Sequence, residues 1–192
     1  MKVIAFNGSA RKDGNTSILL RTVLERLEGA SIETELVWLG NKPLGGCVAC
    51  YKCLKNKDGR CAQDDIINEY LQKMLGAHGI ILGSPTYFAD VSANMKALIE
   101  RCGMVSRVNG DLLKRKVGAA VVAVRRAGAY HVFSSLNSFF LIGQMIVVGS
   151  SYWNLARGKD PGEVKEDAEG MKTMTDLGDN MAWLLKKLNN EG

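Results

Sequence analysis

Apolar residues along the chain recur in two alternating patterns, a short continuous run and a longer stretch with helical spacing. Residues 2–7 form such a run, and residues 16–27 then repeat apolar side chains at the period of a helix. The segment Ile80-Ile81-Leu82 is apolar on both faces of an extended chain, which is typical of a strand inside a parallel sheet. The patterns predict strands at 2–7, 32–39, 78–83, 117–124 and 145–150, and helices at 16–27, 65–75, 92–101, 130–141 and 163–188.

Strict alternation of strands and helices predicts an α/β fold, a doubly wound parallel sheet with helices on both faces. Five strands within 192 residues favour the flavodoxin-like order 2-1-3-4-5 over the six-stranded dinucleotide fold. A hydrophobic content of 46% suits a single domain over residues 1–192. The polar segment 151–162 is expected to be a linker that crosses the surface. In this strand order, a ligand is expected at the loops after strands 1 and 3.

The loop after the first strand, residues 8–17, is rich in glycine and hydroxyl side chains and leads into a helix. Free N–H groups at a helix N-terminus attract an anion. The loop is not a Walker motif, because Asn15 stands where the lysine would be, and this composition suits a phosphomonoester held as a cofactor. An ordinary capped helix start is the alternative. The candidate cofactor-binding residues here are Ser9, Arg11, Gly14, Asn15, Thr16 and Ser17.

The loops after the third and fourth strands add aromatic and cationic side chains at the same predicted edge. Tyr87 and Phe88 offer a surface on which a flat heteroaromatic ring could rest, with simple packing as the alternative. Arg125 and Arg126 could stabilise an anionic reduced flavin, or could be solvated surface residues. The candidate cofactor-binding residues in these loops are Ser84, Pro85, Thr86, Tyr87, Phe88, Arg125, Arg126 and Gly128.

Four cysteines in a loop at about 44–64 have the spacing C-x2-C-x2-C-x7-C. Cys47, Cys50 and Cys53 reproduce the run with which small ferredoxins begin to wrap a [4Fe-4S] cluster, and Cys61 adds a fourth thiol. A four-thiolate zinc site is an alternative, although zinc modules usually carry two separated C-x2-C pairs. Free or redox-active thiols are another. Disulfides are not expected, because the N-terminal residues show no signal-peptide pattern.

Charge and hydropathy argue against a nucleic-acid partner and against a membrane span. The net charge is +5, but the basic residues are interleaved with 20 acidic ones. One concentration of basic residues lies in the cysteine loop, where it could balance a negative cluster or attract an acidic electron donor. It consists of Lys52, Lys55, Lys57 and Arg60. We expect no nucleic-acid partner, no membrane span and a cytoplasmic location, because the chain lacks a recognition motif and a long apolar run.

Taken together, segments 8–16, 83–96 and 125–128 resemble the NAD(P)H-dependent FMN reductase group of flavodoxin-like proteins. The cysteine loop is similar to the insertion of the archaeal and bacterial iron-sulfur flavoproteins, a branch of that group, with the gap before Cys61 at the long end of the pattern. The resemblance covers the whole chain. It implies FMN at the sheet edge, a [4Fe-4S] cluster on Cys47, Cys50, Cys53 and Cys61, and a homodimer or homotetramer.

The function implied by this resemblance is that of an FMN-dependent oxidoreductase or electron-transfer flavoprotein passing electrons between FMN and the cluster. Its redox partner is expected to be ferredoxin or a small-molecule acceptor, with NAD(P)H as a possible co-substrate. The alternatives are a cluster-free NAD(P)H-dependent FMN, quinone or azo reductase, a non-catalytic flavodoxin-like electron carrier, and a zinc-stabilised interaction module. Because a flavin carries its own chemistry, no side chain is predicted as a catalytic acid or base.

Overall fold

The computed structural model describes residues 1–189 and contains a parallel sheet with helices on both faces. Five strands follow the order β2-β1-β3-β4-β5, and a short sixth strand, β6, pairs with β4. All pairings are parallel, so the predicted flavodoxin-like α/β fold is confirmed. The strands are β1 (Lys2–Asn7), β2 (Glu33–Trp38), β3 (Gly79–Pro85), β4 (Val117–Val124), β5 (Ile146–Val147) and β6 (Leu155–Arg157). The helices are α1 (Asn15–Gly29), α2 (Lys52–Asn56), α3 (Ile66–Gly76), α4 (Ala93–Val108), α5 (Ala129–Ile142) and α6 (Ala168–Leu188).

Two hydrophobic cores lie on opposite faces of the sheet. Alternate residues of β3 show the division, because Ile80 and Leu82 face one core whereas Ile81 faces the other. The first core is completed by α3, α4 and α5, and the second by α1 and α6. All seven residues of β3 are buried, as expected for a central strand covered on both faces.

Side-chain caps fix where three helices begin. Asp65 accepts a hydrogen bond from the backbone N–H of Ile67 at the start of α3. Ser92 caps α4 in the same way. Asp167 caps α6, so the predicted helix 163–188 is divided into a 3-10 turn at Glu163–Glu166 and the longer α6.

The fifth strand is shorter than predicted, and the predicted linker contains β6. The backbone N–H of Val148 still bonds to the carbonyl of Gly118, and the N–H of Val122 bonds to the carbonyl of Asn154. Residues 149–153 therefore leave the edge of β4 and the chain rejoins it further along. The Gly149-Ser150-Ser151 sequence interrupts the apolar run, which explains why β5 ends early.

Two helices, α4 and α2, also differ from the sequence prediction. α4 continues past its predicted end at residue 101 to Val108, because Gly103 does not break it but packs beside the ring of Phe139. The cysteine loop contains the short helix α2, which the apolar pattern did not predict. No helix within the described part of the chain has the length and apolar character needed to cross a membrane.

Candidate functional site

The loops that follow β1, β3, β4 and β6 meet at the carboxyl edge of the sheet and surround a cavity of about 180 Å³. The convergence of the first three loops was predicted from the strand order. The cavity is lined by Ser9, Arg11, Asn15, Thr16, Pro85, Thr86, Tyr87, Ala123, Arg125, Gly158 and Lys159.

Three buried hydroxyl groups lie at or beside this cavity without a hydrogen-bond partner among residues 1–189. They belong to Thr16 and Ser17 in the first turn of α1, and to Thr86 after β3. Buried hydroxyls are normally hydrogen-bonded, since an unpaired one costs about 1–3 kcal/mol. Together with the free N–H groups at the start of α1, these hydroxyls form a donor-rich cradle that fits a phosphate group.

Other residues of the first loop shape this cradle. The side-chain oxygen of Asn15 accepts a hydrogen bond from the N–H of Gly162 at 2.9 Å, which ties the start of α1 to the turn after β6. Ser9 Oγ accepts from the N–H of Arg11, and Arg11 Nη1 donates to the carbonyl of Lys159 at 3.1 Å. Gly14 precedes α1 with an extended backbone. Hydrogen bonds to the segment after β6, across the cavity, therefore hold the loop after β1 in place.

β3 extends two residues past its predicted end, so the candidate residues Ser84 and Pro85 lie in the strand, and the other candidates lie in the loop after it. Ser84 is fully buried, and its hydroxyl donates to the carbonyl of Pro85 and accepts from the N–H of Ser92, so it fastens the strand end to α4. Tyr87 lines the cavity and remains 44% exposed, whereas Phe88 is fully exposed with a positive φ of 47°. The aromatic surface next to the cavity is therefore that of Tyr87.

After β4, Arg125 lines the cavity, whereas Arg126 is exposed outside its lining. Gly128 adopts a left-handed conformation with φ of 87°, and a Cβ there would lie 3.3 Å from the backbone of Ala89. This close approach brings the loops after β3 and β4 together.

Gly158 and Lys159 also line the cavity, and the sequence patterns did not identify them. They follow β6, which lies in the segment expected to be a surface linker. A Cβ on Gly158 would come within 2.6 Å of the backbone nitrogen of Val164 and 2.8 Å of Asn15 Nδ2. In the sequence, the glycine at position 158 is the one indication that the backbone here passes close to another segment.

The four cysteines line a second, smaller cavity beside α4, together with Arg101 and Met104. Cys47 and Cys50 are exposed, Cys61 is half-buried, and Cys53 is buried. Burial raises the pKa of the Cys53 thiol, and the neighbouring Cys61 adds to the effect. Tyr51 and Lys57 adopt left-handed conformations at the two ends of α2, which turn the chain around Cys53.

The spacing of these thiols bears on what they could bind. Within residues 1–189, no three His, Cys, Asp or Glu side chains stand close enough together to hold a single metal ion. The four cysteines nevertheless share one cavity and present the soft sulfur donors that iron-sulfur clusters use. The fifth cysteine, Cys102, lies in the core, where full burial raises its pKa to about 12.

Comparison with known sequences identifies the family. A family model described as NADPH-dependent FMN reductase matches residues 1–160. An iron-sulfur flavoprotein of Methanocaldococcus jannaschii is 41% identical over 193 residues, covering 97% of this chain and 98% of its own. An iron-sulfur flavoprotein of Methanosarcina thermophila is 33% identical over 194 residues, covering 97% and 96%. The chain belongs to the iron-sulfur flavoprotein branch of the NADPH-dependent FMN reductase family. The resemblance noted from the sequence is confirmed.

Solved structures share the fold at low sequence identity. RosB with a bound 8-demethyl-8-formylriboflavin-5'-phosphate intermediate has a TM-score of 0.77 at 18% identity, over 98% of this chain and 80% of that one. An archaeal flavodoxin has a TM-score of 0.63 at 15% identity, over 97% and 99%. Membership of the FMN reductase family places the chain among FMN-binding oxidoreductases and electron-transfer proteins.

Proposed function

We propose that the chain is an FMN-dependent oxidoreductase that passes electrons between FMN and a [4Fe-4S] cluster. The observation that carries the flavin part is the buried hydroxyls of Thr16 and Thr86, which line a cavity on the carboxyl edge of the sheet, with that of Ser17 next to Thr16 in the chain. None of the three has a hydrogen-bond partner among residues 1–189. Buried hydroxyls are normally satisfied by protein, ordered water or a ligand, and these lie at a site open to a ligand. The branch of the family to which the chain belongs supports the combination of flavin and cluster.

In this proposal the cradle holds the phosphate of FMN, with donors from Thr16, Ser17 and the first N–H groups of α1. Arg11 supplies a charge-assisted contact, and its bond to the Lys159 carbonyl keeps it at the cavity. Tyr87 and Arg125 border the flavin ring. When bound, FMN supplies hydride and single-electron transfer. The full proposed set is Ser9, Arg11, Gly14, Asn15, Thr16, Ser17, Ser84, Pro85, Thr86, Tyr87, Phe88, Arg125, Arg126 and Gly128.

We assign the cluster to Cys47, Cys50, Cys53 and Cys61. Zinc held by four thiolates is the alternative metal. The four cysteines line one cavity and supply four sulfur ligands to it. The sulfur donor set also fits iron-sulfur chemistry.

The proposed partner is ferredoxin or a small-molecule acceptor, and the protein is proposed to act in the cytoplasm as a homodimer or homotetramer. The basic side chains of the cysteine loop support an acidic protein donor, because Lys52, Lys55 and Lys57 are exposed in the same loop as the exposed thiols of Cys47 and Cys50.

The flavin proposal is tested by removing hydroxyls without changing side-chain shape. The double variant Thr16→Val and Ser17→Ala should lose at least about a hundredfold in FMN affinity, since each of the two lost hydrogen bonds to a phosphate is worth about 1.5–3 kcal/mol. Thr22→Val is the matched control, because Thr22 lies on the same helix and its hydroxyl bonds to the Ile18 carbonyl within that helix. FMN binding is measured by fluorescence quenching, and unchanged affinity in the double variant would reject the cradle.

The cluster proposal is tested by iron and acid-labile sulfide analysis of anaerobically purified protein. Replacing Cys53 or Cys61 with alanine should abolish most iron and sulfide binding while FMN remains bound at the other cavity. Cys102→Ala serves as the control, because Cys102 lies in the core outside the thiol cavity. Wild-type protein that is yellow but free of iron would reject the cluster and keep the flavin assignment.

A second candidate is a cluster-free reductase driven by NAD(P)H. The observation that favours it is the match to a family model described as NADPH-dependent FMN reductase. Anaerobic assays that compare NADH, NADPH and reduced ferredoxin as donors distinguish the two. Rapid flavin reduction by a nicotinamide in iron-free protein would favour this second function.

A further inference from the structure

Arg101 on α4 is a buried cation whose hydrogen bonds all point toward the cysteine loop. Its side chain has no exposed surface, which is unusual for arginine unless every charge and donor is satisfied. A guanidinium carries five N–H donors in a fixed planar fork. The structure gives it five hydrogen bonds, which use Nε, Nη1 and Nη2.

The acceptors of these bonds lie at both ends of the cysteine loop. Nη1 donates to the carbonyl of Gly45, before the first cysteine, and Nη2 donates to the carbonyl of Gln63, after the last. Both Nη atoms also bond to the carboxylate of Asp65, at 2.5 and 2.8 Å. Asp65 caps α3, so one guanidinium joins the start and end of the loop to α3 and α4.

The fifth bond is made to a sulfur atom. Arg101 Nε lies 3.3 Å from Cys61 Sγ and donates to it. The two oxygens of Asp65 balance the cation on the opposite side of the fork. Because Asp65 neutralises the positive charge, Arg101 acts on the thiol cavity mainly through the hydrogen bond from its Nε–H to Cys61 Sγ.

We propose that Arg101 is a positioning residue that fixes Cys61 as a cluster ligand and raises the reduction potential of the cluster. This inference rests on the cluster assignment in the proposed function. A hydrogen bond to a ligand sulfur stabilises the reduced state, in which the cluster carries one more electron and the sulfur is more negative. A lysine in its place keeps the charge but has no planar fork with which to reach Cys61 and the carbonyl groups together.

The test compares Arg101→Lys with wild-type protein after anaerobic reconstitution with iron and sulfide. Arg107→Lys is the matched control, because Arg107 lies on the same helix and pairs with Asp111 at the surface. Iron and sulfide contents are measured first, and the midpoint potential of the cluster is then measured by redox titration followed by low-temperature EPR. We expect a shift to a more negative potential in R101K and none in R107K.

The outcomes separate this inference from the proposed function. R101K protein with wild-type iron content and wild-type potential would overturn the role of Arg101 and leave the cluster assignment intact. Wild-type protein that takes up no iron and sulfide would overturn the cluster assignment, and the role of Arg101 with it. An equal shift in R107K would show that the effect is not specific to the bond with Cys61.

A measurement on wild-type protein covers the case in which R101K does not fold. Protein grown with 15N-labelled arginine is reconstituted and reduced, and the paramagnetic cluster is examined by pulsed EPR. The bond from Nε to Cys61 Sγ should give a coupling between the cluster and an arginine 15N nucleus. Absence of that coupling in fully loaded protein would overturn the proposal.

Discussion

At the scale of single residues, Gly158 shows how the cavity at the sheet edge depends on close backbone approach. It follows β6, bonds through its N–H to the carbonyl of Val124 and lies against Asn15 and Val164. There is no room for a Cβ, because the nearest obstacle is a backbone nitrogen at 2.6 Å that cannot rotate away. One methyl group at this position would displace the loop that carries Lys159.

We therefore predict that Gly158→Ala destabilises the protein by about 1–3 kcal/mol, the usual cost of overpacking, and lowers FMN affinity as well. Urea denaturation and flavin binding are the measurements. Gly149→Ala is the control, because a Cβ there would meet nothing within 4 Å. Equal stability of the two variants would contradict the close approach.

At the scale of elements, an ion cluster links β1, β2 and α3. Glu35 on β2 pairs with Lys73 of α3 and, at 3.2 Å, with Lys2 of β1. The hydrogen bond from Lys73 is the main cause that lowers the pKa of the Glu35 carboxyl below its usual value, and Lys2 adds to it. A carboxyl with a lowered folded-state pKa stabilises the fold above its unfolded pKa, and this stabilisation is lost as the pH falls through the folded value.

Glu35→Gln should accordingly cost about 0.5–1 kcal/mol at pH 7, because the pair is partly exposed and screened. At pH 3 the difference from wild type should shrink as the wild-type carboxyl becomes protonated. Chemical denaturation at both pH values tests this. Glu33→Gln, which removes a more exposed carboxylate paired with Lys2 alone, should have a smaller effect. A constant difference across pH would argue against the ion cluster.

The elements also show what the sequence could and could not predict. β1 and β4 match their predicted ranges, because buried parallel strands are continuous apolar runs. β6 was missed because Leu155-Ala156-Arg157 is too short to show a period. The lining residues of the first loops were predictable from topology, whereas Gly158 and Lys159 depended on β6. The contacts of Arg101 with the cysteine loop were not predicted, because they join residues at least 36 positions apart in the sequence.

At the scale of the whole molecule, a mostly apolar cavity of about 270 Å³ lies between α4 and α5, away from the proposed flavin site. Its lining includes Met104, Phe139 and Ile142, and Met104 also borders the thiol cavity. Leu141 and Ile142 next to it are 65% and 66% exposed. Exposed apolar surface of this kind is typical of subunit contacts.

The homodimer or homotetramer implied by the family resemblance remains a prediction, and this face is our candidate contact. Ile142→Lys should lower the molar mass measured by light scattering to that of a smaller assembly. Trp183→Lys on α6, on the other side of the sheet, should leave it unchanged. Loss of assembly in W183K but not in I142K would indicate that the subunit contact lies on α6. A monomeric wild-type protein would reject the predicted homo-oligomer.

The anchoring of the cysteine loop by Arg101 bears on what would happen if oxidation removed the proposed cluster. In many small metal-binding domains the metal itself supplies the free energy that orders the ligand loop, and the apo form is unfolded. Here a guanidinium fork from α4 bonds to backbone carbonyls at both ends of the loop. We therefore expect the loop to stay ordered if the proposed cluster is lost, so that recovery would require reinsertion of iron and sulfide and no refolding of the protein.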